Sequence, residues 1–159
     1  MIFDIGRVNK VSPYEVYWEG EGNALLFCTQ SGCEYEVTFI RDCKVLDGLE
    51  TYQFSFKPIY GKGGYDANIK VVIRCIIDEF LSANESAIIY VARADEIDAR
   101  CRNRLFLQWF SHAEAQNGGR YIIKIIGDRA GLIICRNNPL LAEYIEAAEE
   151  LNATLEKVD

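Results

Sequence analysis

The chain has 159 residues, half of them hydrophobic and about a quarter charged, and a formal net charge of −7. That length suits one domain with a core of its own, and no basic stripe of the kind that binds a nucleic-acid backbone is present. No apolar run nears the roughly 18 residues of a membrane span. The opening MIFDIGRVNK lacks the basic start and long apolar stretch of a secretory signal, so the expectation is a cytoplasmic protein with no nucleic-acid and no membrane partner.

The first half of the chain reads as strands. YEVYWE (14–19) and ALLFCTQ (24–30) flank a turn at Gly20–Gly22, and CEYEVTFI (33–40) alternates polar and apolar residues after Ser31-Gly32. LDG at 46–48 then leads into ETYQFSFK (50–57), where Tyr52, Phe54 and Phe56 share one face. Aromatic and β-branched residues at period two, separated by turn residues, predict a four-strand antiparallel meander.

The second half changes rhythm. In NIKVVIRCIIDEFLSA (68–83), Ile69, Val72, Ile73, Ile76, Ile77 and Phe80 recur at intervals of three and four, which predicts a helix. Asp66 or Asn68 is its candidate cap. SAIIYVA (86–92) is short and nearly all apolar, as in a central strand covered on both faces. Asp95 is placed to cap a helix over about 96–114, which Asn117-Gly118-Gly119 would stop. RYIIKIIG (120–127) and GLIICRN (131–137) read as two more strands. Pro139 opens a last helix running to about 155, with Leu141, Tyr144, Ile145, Ala148, Leu151 and Leu155 inward and its glutamates outward. Residues 140–159 alone carry −5, leaving −2 for the rest, and this acidic helix is a candidate docking face for a basic protein partner.

The predicted fold is therefore α+β: a single domain over 1–159, with a meander followed by α-β-α-β-β-α. The helix at 68–83 is long enough for a crossover, so part of an otherwise antiparallel, mixed sheet should be parallel. The six cysteines form no Cys-x-x-Cys pair and several lie in apolar runs. They predict buried reduced thiols and no metal site.

This order of elements resembles the GNAT acetyltransferase fold. In that family a glycine-bearing loop after the meander, and the helix N-terminus behind it, hold the pyrophosphate of acetyl-CoA, where free N–H groups and the helix dipole favour an anion. The loop here is YGKGGYDANIK, so the resemblance implies Gly61, Lys62, Gly63 and Gly64 as the cofactor-binding residues for acetyl-CoA or another acyl-CoA. The chain has Pro58 where that family carries an arginine or glutamine, and Phe106 where its acid tyrosine stands. Tyr60, Tyr65 and Tyr90 are the candidate acids, no catalytic residue is assigned, and no carboxylate on the 50–57 strand is an obvious amine base, Glu50 lying only at its start. A second likeness is to small bacterial families of unknown function. It is carried by Arg102, Arg104, Leu105, Phe106, Trp109 and Phe110, in an Arg-x-Arg-Leu-Phe-x-x-Trp-Phe helix.

Four arginines fall within residues 93–104 beside Asp95, Glu96 and Asp98. Glu96–Arg100 and Asp98–Arg102 have the favourable order for helix-surface pairs. Arg93, Arg100 and Arg104 are also candidate ligands of a phosphate or carboxylate. His112, the only histidine, has no nucleophile partner in view. Two functions follow: an acyl-CoA-binding N-acyltransferase, or a non-catalytic interaction or regulatory module on the same fold.

Overall fold

A computed structural model describes residues 1–22, 24–61, 66–91, 106, 108–109, 119–128 and 130–158. Its strands are β1 (Val16–Glu19), β2 (Ala24–Cys28), β3 (Glu34–Asp42), β4 (Thr51–Tyr60), β5 (Ala87–Val91), β6 (Tyr121–Ile126) and β7 (Ala130–Cys135). Among the described residues the helices are α1 (Ile5–Asn9), α2 (Ala67–Ala83) and α3 (Leu141–Val158). The strands form one sheet in the order β1-β2-β3-β4-β5-β7-β6. Pairs β1–β2, β2–β3, β5–β7 and β6–β7 are antiparallel. Ser86 Oγ donates to the Glu50 carboxylate at 2.5 Å, so β4 and β5 begin side by side and run the same way, as a crossover through α2 requires. The α+β expectation thus holds, with a mixed, mostly antiparallel seven-stranded sheet.

The chain divides into two compact units, Met1–Phe39 with Phe54–Asn84 and Ile40–Gln53 with Glu85–Asp159. In the first, the strands bury Val16, Leu25, Phe27, Tyr35, Val37 and Phe54. Helix α2 buries the residues its spacing assigned, Ile69, Val72, Ile73, Ile76, Ile77 and Phe80. Phe39 stacks on Phe80 with centroids 4.7 Å apart and meets Phe54 at 5.2 Å. Short α1 is absent from the sequence expectation. Asp4 caps it, accepting from the N–H groups of Gly6 and Arg7 at 3.0 and 3.3 Å.

In the second unit, Leu46, Ala87, Ile89, Ile126, Leu132, Ile134, Tyr144 and Ala148 form one buried cluster. Ile88 and Ile133, paired across β5 and β7, are fully buried as well, so β5 is covered on both faces. The tight turn that delivers Leu46 is held by Asp42, whose Oδ1 accepts from Lys44 N at 2.7 Å and Val45 N at 3.0 Å. Helix α3 starts two residues later than expected, with Pro139 in the turn before it, because Asn138 takes the Leu140 and Leu141 N–H groups. Tyr144 and Ala148 face inward, but Leu155 is 42% exposed and does not belong to the buried face. Phe106, Gln108 and Trp109, the described residues of the expected 96–114 helix, are helical.

Among the described residues, no helix is long and apolar enough to cross a membrane. The five described cysteines are all free thiols, and only Cys33 is buried. Cys28 is exposed at the end of its strand, and Cys43, Cys75 and Cys135 are half-buried, which corrects the expectation of wholly buried thiols.

Candidate functional site

The first unit carries a cleft of about 640 Å³ lined by the start of α2, the β2–β3 turn and Tyr14. The turn is a closed hydrogen-bonded loop. Thr29 N donates to Cys33 O at 2.8 Å, Gly32 N to Thr29 O at 3.0 Å, and Cys33 N to Thr29 Oγ1 at 3.1 Å. That Oγ1 also lies 3.0 Å from Ser31 Oγ. Gln30 and Ser31 are left exposed at the rim.

Gly61 follows β4 and passes close to this turn. Its φ is +82°, and a Cβ there would lie 3.2 Å from Cys33 Cα and 3.3 Å from Gly32 O. Both atoms are backbone and cannot step aside, so the glycine serves close chain passage.

The floor of the cleft is the first turn of α2. Asp66 is its N-cap: Asn68 N donates to Oδ1 at 2.8 Å, and the Tyr14 hydroxyl donates to Oδ2 at 2.6 Å. Tyr14 is in turn fixed by Ser12, whose hydroxyl donates to the Tyr14 carbonyl at 2.7 Å. A helix N-terminus carries about half a positive charge. Here a carboxylate already sits on it, with a phenol bonded to its second oxygen. The walls otherwise offer amides from Gln30 and Asn68, hydroxyls from Thr29 and Ser31, and the Tyr14 and Tyr35 rings. Such a surface can donate and accept hydrogen bonds in many directions, and among its described residues the one formal charge is negative, that of Asp66.

Of the residues singled out from sequence, Gly61 adjoins the cleft by packing on Cys33. Lys62, Gly63, Gly64 and Tyr65, and the arginines Arg93, Arg100 and Arg104 with His112, lie outside the described residues. Tyr60 is 72% exposed, whereas Tyr90 is buried with its ring 4.1 Å from that of Phe106, itself buried. Glu50 belongs to the second unit. The Ser86 hydroxyl and the Arg41 guanidinium, 2.6 Å away, hold its carboxyl below the usual range. A carboxylate made more acidic in this way is a weakened base. Among the described residues, no group of three or more His, Cys, Asp or Glu side chains could hold a metal ion.

In the sequence, Asp66 reads only as a helix cap. Its partner Tyr14 lies 52 residues away, and no local pattern marks the pair.

The family model of DUF6169, a family of unknown function, matches residues 65–150, from the loop before α2 to the middle of α3. The chain belongs to this family. No curated protein matches it.

Proposed function

We propose that this protein is a non-catalytic binding module whose ligand is a polar molecule, uncharged or cationic, held in the cleft at the start of α2. The observation that carries this reading is the Asp66 carboxylate. It occupies the helix N-terminus and is bonded on both oxygens, by Asn68 N and by the Tyr14 hydroxyl at 2.6 Å. A pyrophosphate brought to the same place would meet a like charge, and among the described residues the Asn68 and Ile69 N–H groups are already taken. Two further observations support it: Phe106, without a proton to give, is buried against Tyr90, and Glu50 is tied up by Ser86 and Arg41. The exposed glutamates of α3, among them Glu143, Glu146 and Glu150, suit a basic partner protein in a regulatory form of the same reading.

An acyl-CoA-binding, GNAT-like N-acyltransferase is the second reading, and position favours it. The cleft lies where β4 ends and α2 begins, the place the acetyltransferase likeness gives to the pyrophosphate of CoA. Its volume of about 640 Å³ is ordinary for a small-molecule site.

Thermal unfolding of the full chain separates the two. The additives are millimolar acetyl-CoA, CoA and ATP, and panels of polyhydroxylated and amine-bearing small molecules. A ligand at 100 times its Kd adds roughly 2.7 kcal/mol to stability. A rise with a neutral or cationic molecule, lost in Tyr14→Phe, supports the binding module. A rise specific to CoA and acetyl-CoA supports the acyltransferase and defeats the first reading.

A further inference from the structure

Among the described strands, the ends of the sheet are β1 and β6. An edge strand turns every second N–H and C=O pair outward, and such a row is a template for pairing with another chain. In both edge strands an asparagine side chain meets that row.

On β1, Val16 N donates to Asn9 Oδ1 at 2.8 Å, and Asn9 Nδ2 donates to Val16 O at 2.8 Å. Both polar groups of one residue are taken, as a facing residue of an antiparallel strand would take them. On β6, Arg136 N donates to Arg120 O at 2.9 Å, so residue 120 faces β7. Alternation then turns 121, 123, 125 and 127 outward. Gly127 N donates to Asn152 Oδ1 at 2.7 Å, and Asn152 Nδ2 donates to Ile125 O at 2.8 Å. These bonds flank Ile126 on either side, which is the pattern a residue of a parallel strand makes. A side-chain amide is chemically a peptide group with a free end. Asn9 ends α1 and Asn152 lies on α3, so two separate helices deliver the same group to the two edges.

We infer that Asn9 and Asn152 are edge guards, each presenting its amide as a one-residue strand, and that the partner Asn152 excludes is the β6 edge of a second copy of this chain. The β6 sequence YIIKII holds four isoleucines and a single charge, Lys124, and Ile125 is 61% exposed. Such a strand is prone to pairing with itself, and antiparallel self-pairing is closed by a twofold axis. The β1 sequence VYWE carries Glu19 with Glu15 just before it, so self-pairing there would crowd carboxylates. Asn152 is therefore the guard that matters for association.

The test compares wild type, Asn9→Ala, Asn152→Ala and Asn152→Ala with Ile125→Lys by sedimentation velocity, with circular dichroism as a check on folding. The inference expects a monomeric wild type and Asn9→Ala, a concentration-dependent dimer in Asn152→Ala, and return to monomer when the edge-strand lysine is added. A folded Asn152→Ala that keeps the monomer mass overturns it, as does a wild type already paired through β6. Should Asn152→Ala not fold, hydrogen exchange on the unmodified chain decides. The Gly127 amide is expected to exchange about 100-fold or more slowly than an unprotected peptide, and exchange at the free-peptide rate overturns the inference.

Discussion

Tyr144→Phe isolates one atom whose role can be valued from its surroundings. The ring is 2% exposed and sits in the cluster with Leu46, Ala87, Ile89 and Ala148. Its hydroxyl donates to the main-chain carbonyl of Glu50, which ties α3 to the start of β4. Phenylalanine keeps the ring and its burial but leaves that carbonyl without this donor. An unsatisfied buried acceptor costs about 1–3 kcal/mol. Because the Glu50 side chain beside it is 39% exposed, water can partly replace the lost donor, and the lower part of that range, about 1–2 kcal/mol, is expected. For a domain of this size that lowers Tm by roughly 2–8 °C. Tyr144→Ala also removes the ring and should cost about 3–5 kcal/mol. Urea unfolding followed by circular dichroism measures both, with an unchanged m-value showing that only stability moved. Ser86→Ala should interact with Tyr144→Phe in a double-mutant cycle by about 0.5 kcal/mol or more, since both hydroxyls bond Glu50. A Tyr144→Phe stability within about 0.5 kcal/mol of wild type would refute the reasoning.

Asp66→Asn keeps an N-cap as good as aspartate while removing the charge. Its stability, read by chemical unfolding, should fall by about 1 kcal/mol or less, chiefly from the weakened Tyr14 bond. A unit charge about 5 Å from a phosphate at an effective dielectric of about 20 opposes it by roughly 3 kcal/mol before salt screening. Any CoA binding measured by calorimetry should therefore tighten by about tenfold or more in this variant. Gly61→Ala should lose at least about 1 kcal/mol, because alanine resists the left-handed region and its Cβ would press on Cys33 and Gly32. Acidification should destabilise the protein through Glu50 and Asp42. Asp42 is held below the usual range by the Val45 and Lys44 amides, and Glu50 by Ser86 and Arg41. Groups whose folded pKa is lowered contribute stability above their unfolded pKa and lose it as pH falls through the folded value. Glu19 works the other way, since its protonated carboxyl donates a hydrogen bond to Glu36, which raises it, and its contribution is lost as pH rises. Tm followed from about pH 6 down to pH 2 should fall less steeply in Glu50→Gln than in wild type.

Elements with a strong period were legible in the sequence. The three-and-four spacing from Ile69 to Phe80 named the buried face of α2 residue by residue, and the apolar run before Val91 announced a strand covered on both sides. Helix α1 was not legible, because five residues give too little of a 3.6-residue period to stand out, and its signal is only the Asp4 cap. Leu155 fitted the α3 stripe but lies in its last turn, beyond the buried cluster that ends with Ala148 and Leu151. The site shows the same division. Of the glycines after the meander, the described one, Gly61, serves close passage over Cys33, a contact that no local pattern announces. The bonds that decide the chemistry, Tyr14 to Asp66, Ser86 to Glu50 and Asn152 to the β6 edge, join residues 25 to 52 positions apart and leave no mark on local sequence.

The central claim is that the N-terminus of α2 is already satisfied by Asp66 and does not take the pyrophosphate of CoA. Amide chemical shifts of the ¹⁵N-labelled chain under titration with acetyl-CoA and with ATP test it most directly. The Asn68 amide, bonded to Asp66 at 2.8 Å, and the neighbouring Ile69 amide are the reporters. The account predicts that millimolar acetyl-CoA leaves both in place. Saturable movement of these two amides with acetyl-CoA, and not with ATP, would contradict it.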